Sequence, residues 1–167
     1  DADVDAAEAW DYLYGSWGNV IVAVIDTGVD YNRHDLANNM WVNTGEIPGD
    51  GIDNDNNGYI DDYRGWDFCN KDNNPLDDHY HGTHVAGTIA AAGYNGIGVI
   101  GVNYKAKIMP LKFLDSYGSG YTSDAVEAIL YAAKMGAKVM NGSWGGIGYS
   151  IALRDAITTA YANGNGA

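Results

Sequence analysis

Three of the four histidines of this 167-residue chain lie close together, in the stretch LDDHYHGTHVAGTIAAAG that spans residues 76–93. The spacing of His79, His81 and His84 permits three interpretations. The imidazoles could ligate a metal ion, one of them could act as the general base of a nucleophile, or they could be unrelated surface and core residues. The neighbouring residues decide between these interpretations.

A zinc site is disfavoured by the residues around the histidines. The H-x-H-x-x-H pattern resembles the metal motif of the metallo-β-lactamase group, but that group has Asp before the last histidine, where this chain has Thr83. Further ligands are also needed downstream, and the only other histidine, His34, lies far upstream.

A general base needs a carboxylate that fixes its tautomer and stabilises the imidazolium. His81 is followed by Gly82, which permits close approach of another backbone, and then by small residues that predict a helix. Asp26 lies in the apolar run NVIVAVIDTGVD, which predicts a buried strand. Asp26 therefore suits the role of that carboxylate for His81, while three unrelated surface or core histidines remain the alternative on the H-x-H-x-x-H pattern alone.

Asp-Thr-Gly after an apolar strand also occurs in aspartic proteases, where two carboxylates share a proton. No second D-[ST]-G occurs in this chain. The aspartic-protease interpretation would also leave the H-G-T-H segment unexplained.

The predicted elements around these residues alternate between strands and helices. Strands are predicted over 19–30, 106–114 and 137–146, and helices over 83–92, 122–136 and 150–164, with a weaker helical pattern over 5–16. This alternation predicts an α/β fold with a mostly parallel sheet and helices on both faces. Sites in such sheets form at the carboxyl ends of strands, where Asp26 and the segment 143–146 are expected.

The helix over 122–136 has the clearest pattern. Thr122 or Ser123 is predicted to cap it, and its predicted buried face comprises Val126, Ile129, Leu130 and Ala133. Residues 43–80, rich in Gly, Asn and Asp, are predicted to form one long acidic surface loop.

Composition excludes several classes of function. The length favours one domain, and a net charge of −13 with nine Lys and Arg argues against nucleic-acid binding. No apolar window is long enough to span a membrane, and the acidic residues 1–15 do not resemble a targeting segment. Cys69 is alone, so no internal disulfide is expected, and we predict a small buried hydrophobe there.

Four motifs occur in order along the chain: VIDTGVD, HGTHVAGTIAA, YGSG and NGSWGG. Together they resemble the subtilisin-like serine proteases (subtilases), especially the calcium-rich bacterial, thermitase-like branch. The resemblance implies that Asp26 is the triad aspartate and His81 the base. It also implies that His84 is a structural packing residue and that His79 is an incidental loop residue.

The same resemblance implies a serine nucleophile in a G-T-S motif, in the chain order Asp, His, Ser, and an oxyanion Asn. Neither is found up to Ala167. We therefore expect residues 1–167 to be the N-terminal part of a single subtilase catalytic domain, truncated before the catalytic Ser and inactive by itself. The remaining C-terminal part would be its partner, and the complete protein would act on protein or peptide substrates.

Two glycine-rich segments resemble the substrate cleft of the family. Gly118, Ser119 and Gly120 resemble the extended edge that pairs with a substrate strand, and Ser143, Trp144 and Gly145 resemble the facing strand and pocket wall. The glycines would leave a pocket for bulky apolar side chains. Ordinary glycine-rich turns remain the alternative for both segments.

The run DGIDNDNNGYIDD (50–62) contains five Asp within thirteen residues. Carboxylates this close repel one another, and a bound cation would relieve that repulsion. Asp53, Asp55, Asn57, Gly58 and Asp61 follow positions 1, 3, 5, 6 and 9 of a calcium loop, and Tyr59 would offer its carbonyl. Arg64 occupies the position of the expected Glu, for which Asp62 could substitute. A merely solvated acidic loop is the alternative.

Two further calcium sites are implied only by the resemblance. One would comprise the side chains of Asp35 and Asn95 and the carbonyls of Ala92, Ile97 and Val99, with a further ligand from an N-terminal arm expected before Asp1. A weaker one would comprise Asp67 and Asp72, with Asn70 where an acid is common. The sequence thus predicts a secreted, Ca2+-stabilised serine endopeptidase; the alternative is a non-catalytic calcium-binding module or a pseudoprotease.

Overall fold

The computed structural model describes residues 4–12, 20–146 and 148–162 of the chain. Strands and helices alternate along it. The strands are β1 (Ile21–Asp26), β2 (Trp66–Asp67), β3 (Lys107–Lys112) and β4 (Val139–Asn141). The helices are α1 (Ala6–Tyr12), α2 (His81–Ala90), α3 (Thr122–Lys134) and α4 (Ile151–Ala160), with a 3-10 turn at Ala37–Asn39. None of the described helices is long and apolar enough to cross a membrane.

The four strands form one parallel sheet in the order β2-β3-β1-β4. Strand β1 is central: it pairs with β3 from Ile21↔Lys107 to Asp26↔Lys112, and with β4 on its other side. The crossovers between these parallel strands run through α2 and α3, as βαβ units require. The carboxyl ends of β1, β3 and β4 therefore lie at one edge of the sheet.

Side chains of β1 alternate between two cores because successive residues of a strand point to opposite faces. Val22 and Val24 pack with Ala86 and Ala90 of α2 on one face. Ala23 and Ile25 belong to a larger core on the other face, which includes buried residues of α3 and α4. The predicted parallel α/β sheet with helices on both faces is confirmed.

The predicted elements are confirmed in type and order, but most of them are shorter. The strand expected over 137–146 is regular only at Val139–Asn141, and α2 begins at His81, two residues before the predicted start. The loop expected over 43–80 contains the two-residue strand β2. Residues 13–16 and 163–164 of two predicted helices, and Asn19 of the first strand, lie outside the described residues.

Two predictions for α3 are wrong. Its N-cap is Tyr121, with no side-chain cap hydrogen bond, so neither Thr122 nor Ser123 caps it. Leu130 is 41% exposed, whereas small residues such as Ala125 and Ala128 are buried. Close packing of the helix against the sheet selects its alanine face, which leaves the larger Leu130 at the margin.

Candidate active site

Asp26 and His81 meet at the carboxyl end of β1. Asp26 is the last residue of that strand and is fully buried, while His81 is the first residue of α2. Nδ1 of His81 lies 2.8 Å from Oδ1 of Asp26, and the same oxygen accepts the backbone N–H of Thr27 at 2.7 Å. The imidazole is 41% exposed, and its Nε2 has no protein hydrogen bond within the described ranges. A neutral imidazole held in this way can accept a proton at Nε2.

Gly82 permits the close approach of α2 to the end of β1. A Cβ atom at this position would lie 2.1 Å from the carbonyl oxygen of Gly28 and 3.1 Å from Oδ1 of Asp26. The backbone N–H of Gly82 donates to Oγ1 of Thr27 at 2.9 Å. The glycine expected from the sequence to allow backbone approach is therefore required for the Asp26–His81 distance.

Asp77 is a site residue that sequence reasoning missed. Its Oδ1 accepts the hydroxyl of Thr27 at 2.9 Å, and its Oδ2 accepts both the backbone N–H and the hydroxyl of Thr83. The carboxylate thereby caps the first turn of α2, where Tyr80 adopts the left-handed conformation and provides no side-chain cap. The sequence signal that could have identified Asp77 is an acidic residue shortly before the start of a helix, where a carboxylate can cap the first turn.

The environment of Asp77 favours its ionised form. Burial by itself would raise the pKa of this carboxyl, but the hydrogen bonds from Thr83, His79 and Thr27 outweigh burial and lower the pKa. An ionised Asp77 therefore links the residue after Asp26 to the helix that begins with His81.

The other two histidines lie outside the Asp26–His81 contact. His84 is exposed on α2, in contrast to the packing role expected of it, and His79 lies in the loop before α2, as expected. His79 stacks on Tyr80, its ring centroid lies 6.4 Å from that of His81, and its Nε2 lies 3.4 Å from the position of a Cβ on Gly118. His79 thus lies between the Asp26–His81 pair and the 118–120 segment, and the three imidazoles do not converge on one point.

The 118–120 segment is exposed and lies in the loop that follows β3. Gly118 has a φ of +72°, and Asp115 accepts the backbone N–H groups of Tyr117 and Ser119 while donating its own N–H to the carbonyl of Ser119. These hydrogen bonds from Ser119 and Tyr117 lower the pKa of Asp115. Gly120 is held close to the carbonyl of Phe113, since a Cβ there would lie 2.4 Å from that oxygen.

The second predicted cleft segment lies next to the first. The ring of Trp144 packs edge-on against Phe113, with 4.9 Å between centroids. Ser143 and Gly145 are exposed, and the hydroxyl of Ser143 donates to Oδ1 of Asn141 at 2.9 Å. The sheet therefore brings both glycine-rich segments to the edge that carries Asp26.

The acidic stretch forms a cluster of three carboxylates that only partly matches the predicted ligand set. Oxygen atoms of Glu46, Asp55 and Asp62 lie within 4.8 Å of one another. Asp55 was predicted, Asp62 was named as a substitute ligand, and Glu46 was missed. Asn57 also reaches the cluster, donating to Asp55 at 3.2 Å and Asp62 at 2.7 Å.

The other predicted residues of this loop lie outside the carboxylate cluster, and two of them accept backbone hydrogen bonds within the loop. Asp53 accepts the backbone N–H groups of Asn57 and Gly58, the latter at 2.8 Å. Asp61 accepts N–H groups of residues 49–51, on another side of the loop. The ring of Tyr59 belongs to the aromatic group beneath the loop, packing 5.0 Å from Tyr131.

Asp62 connects the carboxylate cluster to the core. It is fully buried and accepts the hydroxyl of Tyr131 on α3 at 2.5 Å and the amide of Asn43 at 2.7 Å. Burial raises the pKa of Asp62, although these hydrogen bonds act in the opposite direction. An all-oxygen set of three close carboxylates is suited to a hard cation such as Ca2+, which would relieve their mutual repulsion.

The residues of the second predicted calcium site gather around Asp35. Its Oδ1 accepts the side-chain amide of Asn95 at 2.7 Å, and its Oδ2 accepts the backbone N–H of Val99 at 2.9 Å. The backbone carbonyl of Asp35 accepts the backbone N–H of Ala92. Ile97 joins through its N–H, which donates to Oδ1 of Asn95. Ala92, Ile97 and Val99 thus contribute N–H donors to these contacts, whereas the prediction gave ligand roles to their carbonyls.

The residues of the third predicted site are adjacent along an antiparallel bridge between Asp67 and Asp72. The carboxylate of Asp67 is buried and turned towards its own loop, accepting the N–H groups of Cys69 and Asn70. The carboxylate of Asp72 accepts the N–H of Asn74. Cys69 is partly rather than fully buried, in contrast to the prediction for it.

Comparisons with known proteins agree on one family. The model of the subtilase family matches residues 18–166. Subtilisin-like protease 1 of Plasmodium vivax is 45% identical over 124 residues, which cover 74% of this chain and 20% of that protein. Thermophilic serine proteinase of Bacillus sp. (strain AK1) is 38% identical over 157 residues, 94% of this chain and 33% of that protein. Thermitase of Thermoactinomyces vulgaris is 35% identical over 162 residues, which cover 97% of this chain and 50% of that protein. The chain thus spans between a fifth and a half of the length of these relatives.

Proposed function

Because this chain belongs to the subtilase family, we propose that residues 1–167 form the N-terminal part of the catalytic domain of a serine endopeptidase. In this proposal Asp26 is the triad aspartate and His81 is the general base. The observation that carries it is the 2.8 Å contact between Oδ1 of Asp26 and Nδ1 of His81, with the carboxylate buried and the imidazole half-exposed.

The contact suggests how the pair would move a proton. A hydrogen bond from Nδ1 to Asp26 leaves Nε2 of His81 as an acceptor, so it would take the hydroxyl proton of a serine as that serine attacks a peptide carbonyl. Asp26 would stabilise the imidazolium, which then gives its proton to the leaving amine. The amide of Thr27 holds the carboxylate in position through this cycle.

The nucleophile and the oxyanion-binding Asn would come from sequence that follows Ala167. Without them, residues 1–167 would not hydrolyse peptides by this route. Loss of an oxyanion donor alone lowers kcat by about 10²–10³-fold in such enzymes. The C-terminal part of the domain is therefore the required partner of this chain.

Protein and peptide substrates would bind between the two glycine-rich segments. Exposed backbone at Gly118, Ser119 and Gly120 would pair with the substrate as an added strand, opposite Ser143, Trp144 and Gly145. The contact between Phe113 and Trp144 supports a shared cleft. Open space around Gly145 suits a bulky apolar substrate side chain.

Calcium would stabilise the fold at the acidic loops. Asp55 and Asp62, joined by Glu46, have the convergent carboxylates that a cation needs, with Asp53, Asn57, Asp61 and the carbonyl of Tyr59 as the remaining candidates. Asp35 with Ala92, Asn95, Ile97 and Val99, and Asp67 with Asp72, are the second and third candidate sites. A secreted protein would meet millimolar calcium, which fills even weak sites of this kind.

Covalent labelling of the complete protease tests the proposed function. A serine-directed fluorophosphonate should label the wild-type protein, and His81→Ala should abolish labelling because the serine loses its base. His34→Ala, which removes an exposed histidine outside the pair, should label normally. Full labelling of His81→Ala would refute the role of His81 as base. An unlabelled wild type that still melts at a calcium-dependent temperature would favour the non-catalytic calcium-binding alternative.

A further inference from the structure

A lysine is buried at the carboxyl end of β3. Lys112 is 1% exposed and is among the largest fully buried side chains of the described chain. Lysine is rarely buried to this extent unless its charge is paired, because removing an ammonium group from water is costly. The partners of Lys112 therefore explain why a cation stands at this position.

Its ammonium group donates to three acceptors. Nζ lies 2.8 Å from the carbonyl oxygen of Thr27, 2.7 Å from that of Leu114 and 2.6 Å from Oδ1 of Asp78. An ammonium group has three N–H donors, so each donor has one partner. A neutral aliphatic side chain of the same length would leave all three acceptors without this donor.

The three acceptors belong to the three segments that make up the proposed site. Thr27 directly follows Asp26, Asp78 lies three residues before His81, and Leu114 begins the segment that leads to Gly118. Asp26 is also paired with Lys112 in the register of the sheet, and its carbonyl accepts the N–H of Phe113 at 3.0 Å. One cation thus joins the turn after the aspartate, the approach to the histidine and the approach to the substrate edge.

We infer that Lys112 is a positioning residue, which sets the distance between Asp26 and His81 and aligns both with the substrate edge; this inference rests on the proposed function. Lys112 acts through the segments that it holds and does not contact the reacting atoms. Stability alone does not explain its charge, because well-packed hydrophobic residues commonly replace buried ion pairs without loss of stability. Asp78 is half-exposed while Lys112 is buried, so the ion pair ties an ammonium group fixed in the interior to the segment that leads to His81.

Three single variants of the complete protease, and the double variant Lys112→Met/Asp78→Ala, test this role. Lys112→Met removes the donors at similar length. Asp78→Ala removes the one acceptor that lies at a half-exposed position, where water can replace it, so it tests the same contact with a smaller perturbation of the interior. Lys107→Met is the matched control, because Lys107 lies at the opposite end of β3 and its ammonium group donates only to the carbonyl of Asn38 among the described residues. Each protein is assayed well below its melting temperature for fluorophosphonate labelling rate and for kcat and KM on a peptide substrate.

We expect Lys112→Met to reduce both the labelling rate and kcat by about 10²-fold, the usual effect of a misplaced catalytic pair. Asp78→Ala should reduce both by about tenfold, the loss of one charge-assisted hydrogen bond. The double variant should be no worse than Lys112→Met, because the two residues act through one contact. Lys107→Met should match the wild type.

Wild-type labelling separates the two hypotheses. An unlabelled wild-type protein would refute the proposed function before Lys112 is considered. If the wild type is active, and the folded Lys112 and Asp78 variants retain its labelling rate and kcat within about twofold, the positioning role is wrong. A loss of stability without loss of kcat would also overturn it, because only a structural role predicts that pattern.

Discussion

Gly82→Ala is the substitution for which the structure predicts the largest local displacement near the Asp26–His81 pair. The added Cβ would lie 2.1 Å from the carbonyl oxygen of Gly28, whereas unstrained carbon–oxygen contacts are more than about 3 Å. Relief of this clash requires α2 to move by about 1 Å away from β1. A shift of that size would stretch the 2.8 Å contact between Asp26 and His81 beyond hydrogen-bond length.

Two effects of Gly82→Ala are expected. Overpacking at a well-packed position costs about 1–3 kcal/mol of the free energy of unfolding. Misalignment of the pair should additionally reduce kcat/KM by about 10²-fold per folded molecule. The free energy of unfolding is measured by urea denaturation, and kcat/KM is measured on a peptide substrate with the complete protease under conditions in which all variants are folded.

Gly65→Ala is the matched control for this prediction. A Cβ on Gly65 would also lie 2.1 Å from a carbonyl oxygen, that of Pro110, and its φ of +111° adds backbone strain. Gly65 precedes β2, however, and no hydrogen bond connects it to Asp26 or His81 in the described chain. Gly65→Ala should therefore be destabilised at least as much as Gly82→Ala while its folded molecules keep wild-type kcat/KM. Equal losses of kcat/KM in the two variants, or none in Gly82→Ala, would refute the geometric reasoning.

Three further predictions concern residues around the site. Asp77→Asn should lower stability at pH 7. Because the pKa of Asp77 is lowered in the folded state, its stabilising contribution is present above the ordinary aspartate pKa of 3.8 and is lost as the pH falls through the lower folded value. The free energy of unfolding, measured by urea denaturation, should therefore decline less on acidification in the variant than in the wild type. Excess chelator should lower the melting temperature of the complete protease by many degrees, and Glu46→Gln should weaken the calcium dependence of that temperature; an unchanged melt in chelator would contradict the calcium proposal. Gly118→Ala should raise KM several-fold more than it lowers kcat, because a φ of +72° is strained for alanine and its relief would distort the substrate edge; an unchanged KM would argue against substrate binding there.

Local sequence patterns were sufficient for the order of the elements. Alternating runs of β-branched and small apolar residues predicted the parallel sheet, because hydrophobic periodicity is a local property. The pairing of Asp26 with His81 depended on the resemblance of four motifs to the subtilases, since local patterns only placed Asp26 at the end of a strand and His81 near the start of a helix. The exact ends of β4 and the buried face of α3 were not predicted, since packing against neighbouring elements decides both.

The chemistry-bearing residue types, their order and the acidic loop were thus determined by the sequence itself, together with the family to which the chain belongs. Only the tertiary structure decided which distant groups share a hydrogen bond. Thr27 and Lys112 are 85 positions apart, Asp62 and Tyr131 are 69 apart, and neither pair has a spacing that a local pattern could reveal. Such partners are selected because buried polar groups must be satisfied where the packed elements place them, and that placement exists only once the sheet and its helices have assembled.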